Sequence, residues 1–126
     1  MKTVDLHAHT TASDGSLTPS ELIAYAKEKG LAAIAVTDHD TVGGLDEAMD
    51  QGQRLGIRVI PGVELSTRVD GRDVHLVSLF INWKNFCSKM LFMIFIFATF
   101  IMNSNISIKT CEIFNPNIFS FIIDKL

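Results

Sequence analysis

Four histidines stand in this 126-residue sequence, and two of them, His7 and His9, lie one residue apart in the stretch DLHAHTTASDG. A strand turns its side chains to alternate faces with a period of two, so Asp5, His7 and His9 project the same way. Two neutral imidazoles on one face can grip a divalent cation such as zinc, iron, nickel or manganese. An isolated His-x-His also decorates ordinary strand surfaces, so the pair gains meaning only from further donors. These are present: Asp14 follows in the same stretch, Asp38-His39-Asp40 closes LAAIAVTDHDTVGG, Glu64 stands in IPGVELS and His75 in DVHLVSLFI. All four histidines fall in this set.

Bringing such donors together takes strands whose carboxyl ends share a rim. Residues 3–6 read as a short strand. Thr18-Pro19-Ser20-Glu21 then opens a helix, with Thr18 as N-cap, Pro19 in the first position and Glu21 in the reciprocal capping-box position. Leu22, Ile23 and Ala26 supply its buried face and Gly30 its stop. Residues 31–36 form a near-continuous apolar run, the pattern of a parallel strand covered on both faces. A second helix over 44–55, with Leu45, Ala48 and Leu55 inward, precedes a third strand over 57–60. After Pro61-Gly62, two strands over 63–69 and 72–81 flank Asp70-Gly71, a two-residue hairpin signal. The predicted order is β-α-β-α-β followed by a hairpin, an α/β fold. Right-handed crossovers lay the first three strands parallel, with His7, His9, Asp14, His39, Glu64 and His75 converging at their carboxyl ends.

The length allows one domain at most. Net charge is −3, and it divides unevenly: residues 1–83 carry 12 acids and 7 bases, residues 84–126 carry 2 acids and 4 bases. No Lys/Arg cluster suggests a groove for duplex DNA. Met1-Lys2-Thr3 runs straight into the first strand, with none of the apolar run a secretory signal requires, and Cys87 and Cys111 form no Cys-x-x-Cys; reduced thiols in the cytoplasm are the expectation. Composition changes near residue 83. All eight glycines fall at or before Gly71, every asparagine at or after Asn82, and ten of the eleven aromatics at or after Phe80. Residues 90–102, MLFMIFIFATFIM, are 13 apolar or near-apolar positions, short of the roughly 20 that span a bilayer. The expected division is therefore 1–83 as one unit and 84–126 as an unrelated hydrophobic tail, of the composition that AT-rich DNA yields when read through or out of frame.

DLHAHTTASDG, TDHD, IPGVELS and DVHLVSLFI, in this order, resemble the PHP (polymerase and histidinol phosphatase) family of metal-dependent phosphoesterases over about residues 1–83. The resemblance implies a distorted seven-stranded β/α barrel holding up to three divalent metal ions, zinc, manganese or iron. It places His7 and His9 on the first metal, Glu64 bridging first and second, His75 on the second, and Asp14 with His39 on the third, with Glu64 and His39 as the catalytic positions. Paired cations lower the pKa of a shared water, so no protein nucleophile is required. SDGSLTP and TDHDTVGG are most similar to members acting on small phosphorylated substrates such as nucleotides or short RNA. Asp38 and Asp40 are expected to orient an imidazole, Asp5 to support the first strand, and Arg68 and Arg72 either to meet phosphate or to be solvated. A full barrel takes on the order of 200 residues, and the resemblance ends after three barrel strands and a hairpin, so a truncated barrel is expected. No histidine follows His75, so each metal site would lack at least one protein ligand. A non-catalytic remnant that binds metal weakly, or self-associates through an open barrel edge, is one alternative. An amidohydrolase is another, although TDHD, GVELS and the lack of a lysine for a bridging carbamate oppose it.

Overall fold

The computed structural model describes residues 2–69, 72–85 and 106–108. Strand β1 (Val4–Ala8), helix α1 (Pro19–Glu28), strand β2 (Ala33–Val36), helix α2 (Leu45–Leu55) and strands β3 (Arg58–Val69) and β4 (Arg72–Leu79) follow in order, then a 3₁₀ turn at Trp83–Asn85 and strand β5 (Ile106–Ile108). Strands run β1-β2-β3-β4 across the sheet, with β1, β2 and β3 parallel and β4 antiparallel to β3. With both helices packed beside it, this is part of a β/α barrel.

Helix α1 begins as its sequence predicts. The Thr18 hydroxyl accepts from the Glu21 backbone N–H, and the Glu21 carboxylate accepts in return from the Thr18 backbone N–H and hydroxyl, both at 2.8 Å. The backbone bond and then the hydroxyl bond hold the Glu21 carboxyl below its ordinary pKa, against a smaller upward push from burial. Helix α2 has no side-chain cap at its start, and Asp46 and Glu47 in its first turn complement the helix dipole there.

The core lies between the helices and one face of the sheet: Ile23 and Ala26 of α1, Leu45 and Ala48 of α2, Ile34 and Val36 of β2, and Ile57 and Val59. Ala33 and Ala35 on the opposite face of β2 pack with Ile60 and Leu79. All four residues of β2 are buried, which explains its unbroken apolar run. Trp83 joins the helix-side core and donates its indole N–H to Asp46 at 2.7 Å, tying the end of the hairpin to α2.

The segments expected as two strands, 57–60 and 63–69, form one continuous strand through Pro61-Gly62. Its first four residues pair with β2, Ala33↔Arg58 to Val36↔Pro61, and its last eight with β4, Gly62↔Leu79 to Val69↔Arg72. Proline's missing N–H falls at this change of partner, where the ladder is already interrupted. Gly62 is required by close approach: a Cβ there would lie 2.8 Å from Thr37 Cγ2 and 2.9 Å from the Ser78 carbonyl oxygen.

Strand β5 pairs antiparallel with Thr67–Val69, so residues 106–108 of the expected tail lie on the sheet. The Asp70-Gly71 turn, residues 90–102, Cys87 and Cys111 lie outside the described residues. Among the described residues, no helix is long and apolar enough to cross a membrane.

Candidate metal centre

β1 pairs with β2 through an irregular register between Asp5 and Ala8. His7 lies inside the strand and His9 one residue past its end. Asp5 supports this end: its Oδ1 accepts from the His7 backbone N–H at 3.1 Å. The loop that follows folds back tightly, with the backbone N–H groups of Ser13 and Gly15 both donating to the Thr10 carbonyl, at 3.1 and 2.9 Å. A Cβ on Gly15 would lie 2.3 Å from the His9 carbonyl oxygen, so glycine is required where this turn passes His9.

The TDHD segment is zipped to β3 on either side of Glu64. The Glu64 backbone N–H donates to the Asp38 carbonyl at 3.1 Å, and the Asp40 N–H donates to the Glu64 carbonyl at 2.8 Å. His39 and Glu64 thus become direct neighbours across a parallel bridge.

All six predicted site residues meet here. Glu64 is 4 % exposed, and both its oxygens are engaged: Oε2 lies 2.7 Å from His7 Nε2 and 3.1 Å from His9 Nε2, and Oε1 lies 2.7 Å from His75 Nδ1. His39 Nε2 is 3.8 Å from both Glu64 Oε2 and Asp14 Oδ2. The imidazoles form an arc, with ring centres 5.0 Å apart from His7 to His9, 4.7 Å from His9 to His39 and 5.0 Å from His39 to His75. Burial pushes the Glu64 carboxyl upward, but hydrogen bonds from His7 and His75 and the charges of His39 and His7 outweigh it, leaving it below its ordinary pKa.

Among the described residues, three overlapping groups could each hold a cation: His7, His9 and Glu64; His9, Asp14 and His39; and His39, Glu64 and His75, with donor atoms within 4.8 Å of one another in each. The donor chemistry fits. His7 Nε2 and His9 Nε2 lie 3.0 Å apart and both face one carboxylate oxygen. Metal–nitrogen bonds of about 2.0–2.1 Å in a tetrahedral site put ligand atoms roughly 3.3 Å apart. Among the described residues, buried His9 Nδ1 has no hydrogen-bond partner; Asp14 Oδ1 is 3.3 Å away but outside hydrogen-bonding geometry.

The two aspartates flanking His39, expected to orient an imidazole, hold the turns around it. Asp40, at φ 53°, accepts the Ser66 backbone N–H at 2.8 Å, and it is the Ser66 hydroxyl that lies 3.2 Å from His39 Nδ1, leaving Nε2 to face Asp14 and Glu64. Asp38 gives its carboxylate to Thr10 and Ser13. Sequence reasoning passed over Thr10, Ser13 and Ser66; the one signal for them is a hydroxyl beside each ligand-bearing turn, in HTTASDG and GVELS. Arg72 is exposed, and the side chain of Arg68 lies outside the described residues.

Fold and site together define a β/α-barrel protein with a histidine–carboxylate centre at the carboxyl ends of its parallel strands. The model of the PHP domain matches residues 5–101, and the chain belongs to this family. It is 49 % identical over 78 residues to a 5'-3' exoribonuclease of Haemophilus influenzae, covering 62 % of this chain and 28 % of the relative. It is 45 % identical over 82 residues to a 3',5'-nucleoside bisphosphate phosphatase of Chromobacterium violaceum, covering 65 % and 29 %. Among solved structures, one described as an amidohydrolase from Chromobacterium violaceum with bound sulfate and no metal superposes with a TM-score of 0.62 at 45 % identity, over 64 % of this chain and 28 % of that one. A structure from Bifidobacterium adolescentis, whose description proposes a metal-dependent phosphoesterase, gives 0.59 at 35 % identity, over 62 % and 27 %. The chain thus spans little more than a quarter of the length of these relatives.

Proposed function

We propose that this chain carries the metal-binding part of a metal-dependent phosphoesterase acting on a small phosphorylated substrate, a nucleotide or short RNA. The observation that carries the reading is Glu64, a buried carboxylate whose two oxygens face His7 and His9 on one side and His75 on the other. In this reading His7 and His9 would hold one cation, His75 a second, and Asp14 with His39 a third, with Glu64 offering one oxygen to the first and the other to the second. Zinc, manganese or iron bound there would supply Lewis acidity toward phosphate oxygens and a water acidic enough to ionise near neutrality. The residues themselves hold charge and direction. Glu64 stays ionised because its hydrogen bonds outweigh its burial, and Ser66 fixes which nitrogen His39 turns to the centre. The sulfate in the Chromobacterium structure, a tetrahedral oxyanion like phosphate, and the names of the exoribonuclease and bisphosphate phosphatase relatives support this substrate class.

Elemental analysis of the purified chain, with hydrolysis of a generic phosphodiester in added manganese, tests the reading. Bound metal, with turnover abolished in His9→Ala, is expected. Metal without turnover would favour the non-catalytic remnant, and absence of both would refute the proposal. The structure described as an amidohydrolase supports a second reading, which cleavage of an amide in place of the phosphodiester would favour.

A further inference from the structure

Asp38 is 2 % exposed, stands next to His39 and belongs to none of the three donor groups. Its carboxylate accepts three hydrogen bonds: Oδ1 from the Thr10 backbone N–H at 2.7 Å and from the Ser13 hydroxyl at 2.7 Å, and Oδ2 from the Thr10 hydroxyl at 2.8 Å. Bonds to an ionised acceptor at such lengths are the strong, directional kind. We propose that Asp38 is a positioning residue that locks the loop joining β1 to α1 and so presents Asp14 to His9 and His39. The proposal rests on the metal-centre reading above.

Thr10 is the hub of the loop. It is fully buried, its carbonyl takes the N–H groups of Ser13 and Gly15, and its hydroxyl takes that of Ala12 at 3.1 Å. Fixing Thr10 to the end of β2 therefore fixes the turn that carries Asp14. The Ser13 hydroxyl has a single proton and two carboxylates in reach, Asp38 at 2.7 Å and Asp14 at 3.3 Å. The shorter bond takes the proton, so both Asp14 oxygens stay available to His9 and His39. Asp14 needs this help, because its side chain is 68 % exposed and water competes for it. Asp38 serves the third donor group through the loop.

The test has two arms. In metal-free protein, amide hydrogen exchange at Thr10, Thr11, Ser13 and Gly15 is expected to quicken about tenfold or more in Asp38→Ala and measurably in the milder Ser13→Ala, with the β3–β4 amides unchanged. In a manganese or zinc titration, Ser13→Ala is expected to weaken one cation by about 10- to 100-fold and leave the others as in the parent, with Ser13→Thr restoring it. If Asp38→Ala fails to fold, Ser13→Ala and Thr10→Val carry both arms. Unchanged loop exchange, or equal weakening of every cation with faster exchange across the whole sheet, would overturn the proposal. Faster loop exchange with no cation bound by the parent would support the clamp and refute the metal reading.

Discussion

Replacing Glu64 with Gln tests the centre at its most shared residue. Two of the three donor groups contain Glu64, and only His9, Asp14 and His39 do without it. Saturating cation bound to Glu64→Gln should therefore fall by two equivalents relative to a fully loaded parent, leaving the third group. The same change has a consequence in metal-free protein. A hydrogen bond to a charged group contributes about 1.5–3 kcal/mol, and Glu64 accepts two at 2.7 Å, from His7 and His75. Those side chains are 49 % and 43 % exposed, so solvent screening reduces the pair to about 2 kcal/mol in total. The sign of its pH dependence follows from the lowered pKa of Glu64. A carboxyl with a depressed folded-state pKa stabilises above its unfolded pKa and loses that contribution as pH falls through the folded value. The gap between parent and Glu64→Gln should thus be full at neutral pH and close below the ordinary carboxylate range. Equilibrium dialysis with elemental analysis reads the first effect, and urea denaturation of metal-free protein across pH reads the second. An unaltered cation stoichiometry, or a stability gap that widens on acidification, would refute the reasoning.

Thr18→Ala should cost about 1 kcal/mol by removing the cap of α1; the hydroxyl–carboxylate bond to Glu21 stabilises above the ordinary Glu pKa and is lost on acidification, so the gap in urea midpoint should narrow at low pH, while the part from the Glu21 N–H bond to the Thr18 hydroxyl persists. Gly62→Ala should destabilise by about 1–3 kcal/mol, because its methyl would press on Thr37, the Ser78 carbonyl and Leu79 at 2.8, 2.9 and 3.1 Å; thermal unfolding measures this. Ser66→Ala removes the partner of His39 Nδ1 and should weaken cation binding by about 10- to 100-fold at the groups containing His39, read by calorimetric titration, with Ser66→Thr close to the parent.

The elements were legible in the sequence where local chemistry decides them. Thr18, Pro19 and Glu21 mark the start of α1, the apolar run of 31–36 marks a strand buried on both faces, and the two-residue spacing of His7 and His9 brings their Nε2 atoms within 3.0 Å. The gathering of six donors was legible too, because a parallel sheet leaves one rim for residues that follow its strands. What escaped was decided by partners remote in sequence. Pro61-Gly62 reads as a break, yet the chain runs straight through it because β2 and β4 take opposite ends of one strand. Asp38 reads as a companion of His39, and only the folding back of residues 10–15 shows that its partners lie 25 and 28 positions earlier. The pairing of residues 106–108 with β3 has no signal in the sequence pattern at all.

The change of partner along β3 makes the centre a coincidence detector for assembly. Glu64 sits just past the switch, so the β/α units deliver His7, His9 and His39 while only the finished hairpin delivers His75. A cation held by His39, Glu64 and His75 draws on both halves, so it would have no counterpart site in a chain where either is unmade. At a hundredfold excess over its dissociation constant such an ion would deepen the folded state by about 2.7 kcal/mol, and it would do so by welding the two halves to each other.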